Sequence, residues 1–348
     1  MSAGSGAGLD IDALRAAVAA HGRVTRVVVA QTRGSTPREA GAQMLVWADG
    51  FAGTIGGGAL EFAALAEARR RLGSGRSGLE SHALGPALGQ CCGGAATLAY
   101  EVVDADVLSR LEALADEARA RAGRTGGRPA LARPLGGVGR AADAPAAIRA
   151  ALAAAACAGG AAAAPGPVCA PGDPPWLFEP LAEAPTPLFL YGAGHVGRAL
   201  ARVLQDLPFA LTWIDSARGR FPDPAPAHAR VLIAPDPADA VDLAPPQAVH
   251  VAMTCSHALD LEICHRALRR GCARLAVIGS RTKAARFRAR LRALGHDEAQ
   301  VAAMACPIGD PALGKAPAQV AVAIAADLLA WRARMAEGRG MREREATA

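Results

Sequence analysis

The stretch from Pro187 to Leu200, PLFLYGAGHVGRAL, constrains this chain more than any other. An apolar run reads as a strand up to Tyr191. Gly192, Gly194 and Gly197 then follow in G-x-G-x-x-G spacing, and a helical pattern begins at His195. Asp215 closes the next apolar strand, about twenty residues on, as the fingerprint of a dinucleotide-binding βαβ unit requires. The glycines permit a tight turn, and the helix start presents unpaired N–H groups and the positive end of its dipole. Two uses fit these residues: a cradle for a phosphate, or a turn that only packs helix on strand.

Beyond this turn, AVHVAMTCSH, LDLEICHRALRRG and RLAVIGS continue the alternation of strand and helix. That order predicts a parallel, Rossmann-like sheet over residues 185–335, with a last helix over 317–334. The first part of the chain reads differently. A helix is expected over 9–21 and strands over 24–32, 42–48 and 51–55. A helix over 59–72, a strand over 96–103 and a helix over 106–121 follow. The fold class is therefore α/β, with an N-terminal mixed α/β domain followed by a C-terminal Rossmann-like domain. The expected division is 1–121, an Ala/Gly/Pro-rich connecting segment 122–184, the domain 185–335, and a charged tail 336–348. A short strand near 129–133 and a helix near 144–156 are expected inside the connecting segment.

Composition narrows the function classes. The 348 residues are 51% hydrophobic and 20% charged, which is globular. The net charge of +6 favours an anionic ligand or partner. Only 4% are aromatic, and no nucleic-acid motif or aromatic platform accompanies the basic residues, so nucleic acid is not an expected partner. No apolar run reaches the length and strength of a membrane span, so no membrane association is expected. The opening residues show no basic and apolar leader pattern, which predicts a cytoplasmic protein. Its eight cysteines are then expected as thiols rather than disulfides.

Five further places carry candidate chemistry. The turn GTIGGGALE joins a strand to a helix through Gly56, Gly57 and Gly58 and is a second candidate anion cradle. Its Glu61 reads either as a favourable charge in a first helical turn or as a polar ligand to a heterocycle. Cys91 and Cys92 stand between glycines in LGQCCGG. They read as small buried side chains or as soft thiolates for a metal or for sulfur, and the flanking glycines favour the second reading. No C-x-x-C pair accompanies them, so a tetrahedral zinc site is not expected. Cys255 and His257 follow a Rossmann strand, at the edge where such sheets bind ligands, and Asp260 suits the helix start that follows. Arg281 and Lys283, after the capping residue Ser280, are placed to bind anionic oxygens at the same edge. Arg286 to Arg292 read as a solvated helix face. Gly309 and Lys315 precede the last helix in CPIGDPALGKAP.

Taken together, LGPALGQCCGG, GTIGGGALE, GAGHVGRAL, MTCSHALD, GSRTK and PIGDPALGKAPAQVAVAIAADLL resemble the XdhC/CoxI family over roughly residues 10–103 and 176–333. The resemblance implies a chaperone without independent catalysis. Such a protein binds the molybdenum cofactor, a pterin dithiolene with a phosphate (molybdopterin). It supports exchange of an oxo ligand for sulfur together with a cysteine desulfurase. It then passes the cofactor to the large subunit of xanthine dehydrogenase, and it works as a homodimer or larger oligomer. Under this resemblance Cys91 or Cys92 is a thiolate ligand for molybdenum. Gly56–Gly58 with Glu61, Gly192, Gly194, His195, Gly197, Asp215, His257, Arg281 and Lys283 are the remaining cofactor-binding candidates. The chain departs from the family at Cys255, where the resemblance leads to histidine. The rival reading is an NAD(P)-dependent oxidoreductase, which uses Gly192–Gly197 and Asp215 but leaves Cys91, Cys92 and Gly56–Gly58 unexplained. A second rival is an assembly factor that binds only the partner dehydrogenase.

Overall fold

The computed structural model describes residues 8–84, 93–125, 129–136, 144–156 and 167–345. The chain divides into two compact units, residues 1–183 with 335–348 and residues 184–334.

The first unit is built on an antiparallel five-stranded sheet. Its strands are β1 (Val24–Arg33), β2 (Gln43–Val46), β3 (Phe51–Gly53), β4 (Gly78–Ala83) and β5 (Ala95–Val103), in the order β3-β2-β1-β5-β4. The period-two alternation of β1 sends successive side chains to opposite faces. Val27 and Val29 join Met44, Leu98 and Tyr100 under helix α2 (Gly58–Ser74), through its Leu60, Ala64 and Ala68. Val28 and Ala30 pack with Ala99, Leu135 and Leu177 on the opposite face. Helix α1 (Ile11–His21) starts at Asp10, whose carboxylate accepts from the Ala13 N–H at 2.9 Å. It buries Ile11, Leu14 and Val18 in one cluster with Leu108, Leu111 and Ala115 of helix α3 (Ala105–Thr125).

The described residues of the Ala/Gly/Pro-rich segment 122–184 contribute regular elements to this unit. They hold β6 (Ala130–Pro134), helix α4 (Ala146–Ala156), β7 (Val168–Ala170) and β8 (Trp176–Pro180), with sheet order β6-β8-β7. The reason is charge as well as apolar cover. Arg26 of β1 and Glu101 of β5 are buried, as are Arg133 of β6 and Glu179 of β8. Arg26 Nη2 lies 2.6 Å from Glu179 Oε2, and Arg133 Nη2 reaches Glu179 Oε1 at 2.7 Å and Glu101 Oε2 at 2.9 Å. Two cations and two anions thus neutralise one another, which a buried charge requires. Strand β4 is absent from the sequence reading. GLESHA has no β-branched residue, and its pairing with β5 is what makes it a strand.

The second unit is an all-parallel sheet of β9 (Thr186–Tyr191), β10 (Phe209–Asp215), β11 (Ala229–Ile233), β12 (Val249–Ala252) and β13 (Arg274–Val277). The order β11-β10-β9-β12-β13 is the Rossmann order 3-2-1-4-5, reversing between β9 and β12. Its helices are α5 (His195–Val203), α6 (His257–Arg270), α7 (Arg281–Ala293), α8 (Glu298–Ala303) and, up to Arg334, α9 (Pro317–Glu345). One face of the sheet packs Phe189, Tyr191 and Ile214 with Ile263, Ala267, Phe287 and Leu291 of α6 and α7. The other packs Leu188, Leu190, Trp213 and Val251 with Leu200 of α5 and Ile324 and Leu328 of α9. Cover on both faces explains the nearly continuous apolar strands. Helix α9 runs on to Glu345 instead of closing at Arg334. The Met, Ala, Arg and Glu residues beyond that point are good helix formers, and the two glycines among them do not end it.

Candidate functional site

In the second unit, the carboxyl ends of the parallel strands gather the loops after β9, β10, β12 and β13. This edge is where a Rossmann sheet binds ligands, at the point of strand reversal. The three glycines after β9 do different work. Gly192 has φ +116°, and a Cβ there would lie 2.6 Å from the Met253 carbonyl oxygen. The turn therefore needs glycine both for its conformation and for its approach to the β12 loop. At Gly197 a Cβ would stand 2.1 Å from the Gly192 carbonyl oxygen, so this glycine lets α5 start close against β9. Gly194 faces open space, and it begins α5 without a side-chain cap. The first-turn N–H groups of α5 are thus available, and His195 beside them is exposed.

Asp215 is turned inward onto this loop. Its Oδ2 accepts from the Ala193 N–H at 2.7 Å and its Oδ1 from the Ser216 N–H at 2.7 Å. Arg220 Nε lies 3.3 Å from the same Oδ1, and Arg220 Nη1 lies 3.9 Å from Cys255 Sγ. Arg198 of α5 donates from Nε to the Ala193 carbonyl at 3.1 Å and from Nη2 to the Arg220 carbonyl at 2.5 Å. Arg220 therefore links the loops after β10 and β12 across the glycine turn. Sequence reasoning did not single it out, because nothing in SARGRF distinguishes a tethered arginine from a solvated one.

The other two helix starts at this edge are held by one buried ion pair. Asp260 accepts from the Thr254 N–H at 2.9 Å and from Lys283 Nζ at 2.6 Å, and Lys283 also donates to the Ile278 carbonyl at 2.9 Å. Ser256 and Ser280 cap α6 and α7. Lys283, expected to face an anion, has its ammonium committed inside the fold. Arg281 is exposed, with no ion-pair partner among the described residues. His257 is exposed at the start of α6, its ring 6.5 Å from that of Phe287. Deeper in the sheet, Tyr191 Oη lies 2.9 Å from His250 Nδ1. Burial, and then Arg270, push His250 down to about 4.

In the first unit the turn before α2 is already filled. Gly56, Gly57 and Gly58 all have positive φ, and a Cβ on Gly56 would lie 2.5 Å from Pro37 Cβ. Glu61 Oε2 accepts from the Ile55 N–H at 3.0 Å, the Gly57 N–H at 3.2 Å and the Thr54 hydroxyl at 2.5 Å. The carboxylate thus occupies the place an anion would take. Cys91 and Cys92 lie outside the described residues. Next to the β4–β5 pair, the Leu84 N–H donates to the Gly94 carbonyl at 2.8 Å. A Cβ on Gly94 would stand 2.3 Å from the Ser35 carbonyl oxygen. The loop 34–38 therefore touches both Gly94, just before β5, and the Gly56 turn, two features far apart in sequence.

Among the described residues no helix is long and apolar enough to cross a membrane. Nor do three or more His, Cys, Asp or Glu gather as a metal-ion set there.

Comparison with known proteins follows the same division. A crystal structure of a xanthine dehydrogenase from Bacillus halodurans superposes with a TM-score of 0.68 at 17% identity, covering 94% of this chain and 96% of that one. At that identity the likeness is one of fold. No curated protein matches the sequence. The profile of the XdhC Rossmann domain matches residues 188–328, and that of the XdhC and CoxI family matches residues 17–82. With a profile of the family on each unit, the chain belongs to the XdhC and CoxI family.

Proposed function

We propose that this chain is an accessory protein to xanthine dehydrogenase that carries the molybdenum cofactor as cargo. The observation that supports this most is the presence of both family parts in one chain, at residues 17–82 and 188–328. In the first unit, Cys91 and Cys92 offer soft thiolates to molybdenum. In the second, the uncapped first turn of α5 behind Gly194 offers N–H groups to the cofactor's phosphate, with Arg281 and His257 exposed at the same sheet edge. Glu61 already takes the corresponding place before α2, which makes the Gly192–Gly197 turn the better phosphate seat. A cysteine desulfurase supplies the sulfur, the large subunit of the dehydrogenase receives the cargo, and the chain acts in the cytoplasm as a homodimer or larger oligomer.

The rival NAD(P)-dependent oxidoreductase would ask Asp215 to present its oxygens to a ribose. Both oxygens instead accept backbone N–H groups of the chain's own loops. The deciding experiment is anaerobic purification from a host that makes the cofactor, followed by oxidation to the fluorescent pterin. The Cys91→Ala/Cys92→Ala double variant is run alongside. Stoichiometric pterin in the wild type that falls in the variant is expected. Absence of pterin from the wild type, together with saturable binding of NADH or NADPH, overturns the reading.

A further inference from the structure

Helix α7 carries charge of one sign only. Its sequence RTKAARFRARLRA holds five arginines, one lysine and no acid, as many positive charges as the net +6 of the whole chain. Like charges at i,i+4, such as Arg286 with Arg290 and Arg288 with Arg292, weaken a helix. Half of these cations are used within the fold. Lys283 pairs with Asp260, Arg288 donates to the Met304 carbonyl, and Arg292 pairs with Glu298. Arg281, Arg286 and Arg290 are exposed and have no partner among the described residues.

The inward face of α7 is Lys283, Ala284, Phe287 and Leu291. Arg286 and Arg290 lie outside it at a four-residue spacing, and Leu294, 52% exposed, continues the same row just past the last turn. Two unpaired arginines ending in an exposed leucine differ from a merely solvated face. Arginine is enriched in protein interfaces, and an apolar side chain beside it supplies an anchor. A surface for single-stranded nucleic acid would pair the arginines with aromatic platforms, and α7 exposes none.

We infer that the Arg286–Arg290–Leu294 row of α7 is a docking surface for the acidic face of a partner protein. The inference rests on the accessory role proposed above, because the same helix begins with Arg281 at the ligand edge. A partner seated along α7 lies beside the cargo-binding end of the sheet. The row fixes orientation and encounter rate by charge, and Leu294 provides the desolvated contact.

The test measures binding of the full chain to the cofactor-free xanthine dehydrogenase of the same organism, as wild type and as Arg286→Glu/Arg290→Glu/Leu294→Ser. Wild-type affinity is expected to fall as salt rises from about 50 to about 300 mM. The triple variant should bind about tenfold or more weakly and lose that salt dependence. Leu294→Ser alone should weaken binding and keep it. Circular dichroism and pterin retention of the variants should match the wild type, which separates this surface from the cargo site. Equal binding by the triple variant overturns the docking surface alone. Absence of wild-type binding overturns both the surface and the accessory reading. Equal or tighter binding of a short DNA duplex or of phosphatidylglycerol vesicles identifies a different anionic partner and also overturns it.

Discussion

Lys283 Nζ lies 2.6 Å from Asp260 Oδ2, with the lysine 8% and the aspartate 0% exposed. This contact joins the first turn of α6 to the first turn of α7, and Asp260 also holds the β12 loop through the Thr254 N–H. Two helix starts and one loop of the candidate edge thus depend on a single buried pair. Lys283→Met leaves an unpaired carboxylate in the interior and should cost about 3–5 kcal/mol in urea unfolding. Asp260→Asn/Lys283→Met removes both charges and should recover a large part of that loss. If the double variant is as unstable as the single one, the pair is not what holds the edge.

The glycines of the turn after β9 predict two different phenotypes. Gly197→Ala places a Cβ 2.1 Å from a carbonyl oxygen and should lower stability by about 1–3 kcal/mol or more. Gly194→Ala meets no atom within 4 Å, at a φ of −73° that alanine accepts, and should leave the melting temperature within a degree or two. Pterin retention by Gly194→Ala then reports on close approach of the cargo's phosphate without a stability defect. Unchanged retention would remove the phosphate from that turn.

Acid should loosen the first unit at its charge cluster. Burial alone would raise Glu179, but Arg26 and then Arg133 outweigh it and hold the carboxyl below its ordinary range. A carboxyl depressed in the folded state contributes stability above its unfolded value, about 4.3, and loses it as pH falls through the folded value. Urea midpoints of the first unit should therefore drop below about pH 4.3. Glu179→Gln should be less stable at neutral pH by about 3–5 kcal/mol, and its midpoint should vary less with acid.

His250 gives the second unit a different window. Its folded value of about 4 lies below the ordinary 6.5 because the ring is buried, with Arg270 adding to the shift. The unfolded chain therefore binds more protons between those values. Stability is fully present above about pH 6.5 and declines toward pH 4, by on the order of 3 kcal/mol at most. Imidazole signals in NMR should show His250 neutral at pH 5. His250→Gln should flatten the thermal-stability profile between pH 6.5 and 4. A His250 signal that titrates near 6.5 in the folded protein would contradict the buried pairing with Tyr191.

Local pattern determined much of this protein. The apolar run to Tyr191, the spacing of Gly192, Gly194 and Gly197 and the terminal Asp215 specify a Rossmann unit. Each part acts on neighbours a few residues away, through helix capping, turn geometry or strand alternation. The motifs that resemble the XdhC/CoxI family were readable for the same reason. Tertiary structure decided what depends on contacts between distant residues. GLESHA became a strand through pairing with β5, and β6, β8 and β7 form a second sheet in which Arg133 and Glu179 meet Arg26 and Glu101. It also decided which charged side chains are spent and which are free. Lys283 and Glu61 look like ligand residues in sequence, yet their charged groups are bound within the chain, whereas Arg220 spans two loops and Arg286 and Arg290 have no partner among the described residues. A charge's role depends on its partner's distance and on the water around it, and only the folded chain sets those.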